Sequence, residues 1–221
     1  MMRIKRLPGA FALLLLASSA LAQFRTGGAN IGGAWFPEVG SGSVYEVNSK
    51  GQKTSMTVAI VGKEEYQGRT GYWMEMTMQT ERGPMVSKTL MVPGADNKTE
   101  AVRTIFVMGG EAYEMDLTMM RTDPQQQPQT TDIRKNAERV GTEGITTPAG
   151  TFTCEHWRDT KTGRDMWFSD QVSPWGLVKS ESKTGSTVLV QKLTGVKSKI
   201  TGTPKKFDPA EMSRQKQARK P

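Results

Sequence analysis

The sequence predicts an all-β, mainly antiparallel domain of about ten to twelve strands. Three observations predict it. Apolar and polar residues alternate in short runs, which is the period of a pleated strand. Turn residues punctuate those runs at Gly62-Lys63, Gln67-Gly68, Arg82-Gly83-Pro84, Pro93-Gly94 and Gly109-Gly110. No long stretch carries the 3.6-residue apolar period of a helix, and parallel strands would need helical crossovers between them. The pattern alone leaves a sandwich and a barrel both open.

Residues 1–22 read as a cleavable export signal. Arg3, Lys5 and Arg6 give a positive start, Ala10 to Ala17 an apolar run, and Ala20-Leu21-Ala22 a small-x-small exit before Gln23. The run is too short for a spanning helix, which takes about 20 apolar residues. No later segment is apolar enough to span. The expected location is therefore periplasmic or secreted.

Residues 23–43 form a Gly-rich lead-in with Trp35 and Phe36 as its one large apolar anchor. Its glycines follow no strand and lack the G-x-G-x-x-G spacing of a phosphate loop. Strand patterns then cover 44–47, 54–61, 71–80, 85–92, 101–108 and 112–120. The run at 71–80 alternates most clearly, with Met74, Met76 and Met78 on one face and Glu75, Thr77 and Gln79 on the other. Residues 123–129, with two prolines and four glutamines, read as an exposed loop. Strands resume near 132–140 and continue at 142–147, 152–158, 164–169, 176–182 and 187–193. One β-rich domain over 44–196 is the result.

Residues 197–221 are a basic tail, expected to be flexible. They hold eight Lys and Arg against Asp208 and Glu211. Asp208-Pro209 with Glu211 is a helix-start pattern, and Phe207 and Met212 fit a hydrophobic staple, so a short helix is expected over 209–219. The formal charge of +8 is therefore concentrated in the signal and the tail. The body between them is nearly neutral. A nucleic-acid-binding domain carries its charge on a face of the body, so that function is excluded. The tail's charge suits contact with an anionic envelope surface.

Cys154 is the only cysteine and His156 the only histidine. Two residues apart on a strand, they point to one face and have the softness to share copper or zinc. No second Cys or His exists to complete a closed site, so no cofactor or metal is expected. There is no G-x-S-x-G elbow and no H-E-x-x-H, so the chain is read as non-enzymatic. The methionines spread over the strands suit pocket lining better, since Met is flexible and fills irregular cavities. Trp73, Trp157, Trp167 and Trp175 lie in or beside the strands.

Residues 144–179 carry a resemblance. Thr147-Pro148-Ala149-Gly150-Thr151-Phe152-Thr153-Cys154 is followed by Trp167-Phe168-Ser169 and by Val172-Ser173-Pro174-Trp175-Gly176-Leu177-Val178-Lys179. Upstream stands Gly71-Tyr72-Trp73-Met74-Glu75. Together these resemble uncharacterised bacterial envelope proteins akin to the lipoprotein-carrier (Lol-type) superfamily. The resemblance implies a strongly curved open sheet, an incomplete β-barrel, whose concave face binds acyl chains. Helices lid that cavity in such carriers. Little helix is expected here beyond a short piece near 30–37 and the tail.

The leading expectation is a non-catalytic protein that binds a hydrophobic small molecule or lipid. Met74, Met76, Met78, Met91, Met108, Trp73 and Trp157 are its candidate cavity lining. The alternatives are an envelope interaction protein using the basic tail, and a soft-metal binder through Cys154, His156 and methionines.

Overall fold

Alternation, β-branched residues and glycine turns are realised as thirteen strands in the computed structural model. It describes residues 34–80, 83–94, 99–118, 129–130, 134 and 137–208. The strands are β1 Gly42–Ser49, β2 Gln52–Tyr66, β3 Arg69–Thr80, β4 Gly83–Pro93, β5 Thr99–Met108, β6 Glu111–Asp116, β7 Gln129–Thr130, β8 Ala137–Thr147, β9 Gly150–Asp159, β10 Asp165–Phe168, β11 Leu177–Ser182, β12 Gly185–Leu193 and β13 Lys205–Lys206. The export signal and the expected helix at 209–219 lie outside the described residues. So do residues 30–33, and residues 34–37 are not helical. Among the described residues no helix is long and apolar enough to cross a membrane. The chain divides into Met1–Ile31 and Gly32–Pro221, and every described residue belongs to the second unit.

All thirteen strands join one sheet in the order β13-β6-β5-β4-β3-β2-β1-β12-β11-β10-β9-β8, with β7 beside β5. Every pairing is antiparallel except β13 with β6. A sandwich is thereby excluded. The two ends of the order, β13 and β8, do not pair, so the sheet is open and curved rather than closed. Curvature has local causes. Bulges interrupt the register at Val44/Tyr45, Ile60/Gly62, Leu90/Met91, Trp167/Phe168 and Arg139/Gly141. Each adds a residue to one strand, which bends it and increases its twist.

The central strands are buried on both faces, and this differs from the simple alternation expected of β3. Met74 and Met76 are buried, and so are Glu75 and Thr77 behind them. The C-terminal segment explains it. Ser198 Oγ donates to Glu75 Oε2 at 2.6 Å, and the Lys199 backbone N–H donates to the same carboxylate at 3.0 Å. Lys199 Nζ donates to Thr77 Oγ1 at 3.2 Å, and Ile200 is buried. Farther on, Lys205 and Lys206 form β13, and Phe207 packs edge-on against Phe106 at 5.3 Å. Residues 197–208, expected as the start of a flexible tail, are thus a strap across the sheet. Four of the tail's eight basic residues belong to it: Lys197, Lys199, Lys205 and Lys206.

The Gly-rich lead-in is also tied at more points than its composition implied. Phe36 N–H donates to Pro174 O at 2.7 Å, Gly40 N–H to Ile60 O at 2.7 Å, and Val196 N–H to Gly40 O at 2.8 Å. Trp35 lies 6.1 Å from Trp175, centroid to centroid. The turn at 173–176 that receives it requires glycine at its end. Gly176 has φ +76°, and a Cβ there would stand 2.9 Å from Ser169 O.

Candidate functional site

Side chains directly opposite in a ladder share a face, so the register sorts the expected lining residues. Met74, Met76 and Met78 share one face of β3 by alternation. Tyr72, on that face, stands opposite Met91, and Met74 stands opposite Thr89. Thr89 in turn faces Thr104, and their hydroxyls bond at 3.1 Å. Met108 follows Thr104 by four residues and so joins the same face. Five of the seven expected residues therefore meet on one face of β3, β4 and β5.

That face grades from dry to half-exposed. Met74, Met76 and Met91 are buried, next to Val58 and Ile60 of β2. Met78 is half-buried opposite the half-buried Met85. Extending the Ser87–Phe106 register by two residues sets Met85 opposite Met108, also half-buried. Met78, Met85 and Met108 thus form a row at one end of the methionine face, beside Phe106. Phe106 stacks on Tyr113 at 6.1 Å.

The two tryptophans lie elsewhere. Trp73 points to the opposite face of β3. It packs against the buried cluster Leu90, Val92 and Val102. Its indole N–H donates to Glu64 at 3.0 Å. Cations stand over its ring, with Lys88 Nζ at 5.3 Å and Arg103 at 5.2 Å from the centroid. Arg103 also pairs with Glu64, and with Glu114 at 3.7 Å. Trp157 is on β9, separated from β3 by β2, β1, β12, β11 and β10. Its indole N–H donates to Glu155 at 3.3 Å and Arg134 lies over its ring at 5.9 Å.

Cys154 and His156 do share a face, but each is engaged by protein. The Cys154 thiol is fully buried and lies 3.6 Å from Phe152 O. Burial, and after it the Glu143 charge, push that thiol up to about 11. Burial thus disfavours the thiolate, the form that reacts and binds metal. His156 is held between two acids, with Nδ1 at 2.9 Å from Glu143 and Nε2 at 2.8 Å from Asp165. Its ring stacks on Trp167 at 4.5 Å, whose indole N–H donates to Glu143 at 2.6 Å. Burial alone would raise the Asp165 carboxyl. Hydrogen bonds from Arg158 and His156, with their charge, outweigh it and hold Asp165 below the ordinary carboxylate value. Among the described residues no group of three or more His, Cys, Asp and Glu is arranged to hold a metal.

A cleft of about 370 Å³ lies away from all these residues, where the lead-in meets the 170–173 loop and the end of β12. Sequence reading did not single it out, since it joins segments far apart in the chain.

No protein-family model matches the chain, and no curated protein matches it. Solved structures do. A protein described as exported and of YmcC-like fold, from Bacteroides fragilis, aligns at 16% identity and TM-score 0.36, over 72% of this chain and 99% of that one. A lipoprotein, so described, from Parabacteroides distasonis aligns at 18% identity and TM-score 0.36, with the same coverages of 72% and 99%. MucB aligns at 10% identity and TM-score 0.42, over 85% of this chain and 64% of that one.

Proposed function

We propose that this is a non-catalytic, exported envelope protein that holds a hydrophobic ligand, a lipid or acyl chain, on the methionine face of β3, β4 and β5. The observation that carries it is the meeting of Met74, Met76, Met78, Met91 and Met108 on one face of three adjacent strands in an open sheet. Methionine has three rotatable bonds and a polarisable sulfur, so a wall of it re-packs around an inserted chain more readily than branched residues do. The half-buried row Met78, Met85 and Met108 is the point of access, and the buried Met74, Met76 and Met91 are the bed. Export is supported by the three-part pattern of residues 1–22.

The test is displacement of a fluorescent C16 fatty acid from the intact protein. Met78→Glu and Met108→Glu place a charge at half-buried positions, where the fold tolerates it. Each is expected to weaken uptake at least about tenfold, since a charge beside an alkyl chain is desolvated without a partner. Met76→Glu, at a buried position, is expected to abolish uptake and is read only if its circular dichroism matches the parent. Uptake equal to the parent's in both rim variants refutes the assignment.

A further inference from the structure

The cleft beside the lead-in has a composition that selects its ligand. Two exposed carboxylates, Glu38 and Asp170, the amide of Gln171 and the ammonium of Lys192 line it, together with the hydroxyls of Ser41 and Ser173. Phe36 also lines it and is 41% exposed, unusual for an aromatic residue. Among the described residues, none of Glu38, Asp170 and Lys192 is ion-paired. The backbone around it is rigidly held. Ser43 Oγ donates to Ser173 O at 2.7 Å, and Ser173 Oγ donates to Phe36 O at 3.1 Å. Gly42 at its base packs so closely on β2 that a Cβ would stand 2.7 Å from Val58 O.

A second observation falls on the same segments. Trp35 Nε1, Ser169 Oγ and Trp175 Nε1 are buried without a hydrogen-bond partner. Ser169 and Trp175 are 6% and 4% exposed. Trp35 and Ser169 are chain neighbours of the lining residues Phe36 and Asp170, and Trp175 packs on Trp35. Buried polar groups are almost always satisfied by a partner. Three of the four such atoms among the described residues collect beside this one cleft.

The lining excludes most ligand classes in turn. Two carboxylates disfavour an anion, and Lys192 disfavours a plain cation. Charged and amide groups disfavour a purely apolar chain. What remains must donate hydrogen bonds to the carboxylates, accept them from the Lys192 ammonium and the Gln171 amide, and offer an apolar face to an aromatic ring. Vicinal hydroxyls on a ring with C–H faces do all three. The volume is within the range of small-ligand sites. We propose that this cleft is a saccharide-binding site, distinct from the methionine face. Phe36 stacks on the sugar ring, Asp170 and Glu38 accept from its hydroxyls, and Lys192 and the Gln171 amide complete the polar contacts.

The experiment titrates the intact protein with N-acetylglucosamine disaccharide, maltose, sodium glutamate and sodium decanoate, read by saturation-transfer NMR and tryptophan fluorescence. The expected result is saturation transfer to at least one saccharide, with a fluorescence change from the indoles beside the cleft. Phe36→Ala and Asp170→Asn, both at exposed positions, are each expected to weaken that binding about tenfold, with melting temperature unchanged. Glu38→Gln is the second acceptor variant, expected to act in the same direction. Absence of transfer to both saccharides overturns the proposal, whether or not glutamate or decanoate binds. So does saccharide binding that both Phe36→Ala and Asp170→Asn leave at parental affinity.

Discussion

Glu75 is the residue on which the strap depends, and removing its carboxylate measures that dependence. It stands in the middle of β3, opposite Ala59 on β2 and Lys88 on β4, and is 4% exposed. Its oxygens accept from Ser198 Oγ at 2.6 Å and from Lys199 N–H at 3.0 and 3.1 Å. Glu75→Ala deletes the acceptor of two charge-assisted bonds. At about 1.5 kcal/mol each, the loss is about 3 kcal/mol. If the strap opens locally, amide exchange at Lys199 and Ile200 accelerates about 100-fold. If the loss is felt globally, the melting temperature falls by about 6–12 °C for a domain of this size. Glu75→Gln keeps one acceptor oxygen and is expected to fall between the two. Hydrogen exchange followed by mass spectrometry resolves the 196–208 segment. Parental exchange there, with a parental melting temperature, would refute the claim that this carboxylate holds the strap.

Three further outcomes follow from the geometry. Asp165 is held below the ordinary carboxylate value in the folded protein, so its contribution to stability is present above the unfolded value and is lost as pH falls through the folded one. Asp165→Asn is expected to flatten the acid side of the stability profile in chemical denaturation, and a profile parallel to the parent's would count against it. Cys154, buried with its thiol pushed up to about 11, is expected to resist a disulfide reagent at pH 8 in the native state and to react fully after denaturation. Stoichiometric reaction of the native protein would contradict that placement. Gly176→Ala puts a Cβ 2.9 Å from Ser169 O at φ +76° and is expected to cost about 1–3 kcal/mol in denaturant titration, where a neutral result would show that the turn relaxes freely.

The strands were legible because each rests on local information. Period-two runs such as 71–80 and turns such as Gly109-Gly110 require only neighbouring residues to agree, and β3 and the β5–β6 hairpin lie where those signals place them. The methionine face was legible in part. Alternation puts Met74, Met76 and Met78 together on one strand, but adding Met91 and Met108 depends on the register across β4 and β5. Trp73 and Trp157 were grouped with them by residue type, and the register sends them elsewhere. The strap was not legible. The stretch Gly195-Val196-Lys197-Ser198-Lys199-Ile200 reads as a polar basic tail, and its partner Glu75 is 123 residues from Ser198. The same holds for His156, whose two acids come from β8 and β10 on either side of it. A sheet that buries a carboxylate under a distant segment leaves no periodic trace in the chain.

A hydrophobic ligand at the methionine face is the central proposal, and native mass spectrometry addresses it most directly. The protein is purified gently without detergent, then incubated with a lipid extract. The expected result is a reproducible adduct of lipid-like mass that Met78→Glu and Met108→Glu diminish. A clean apo-protein mass, unchanged after the lipid extract, would contradict it.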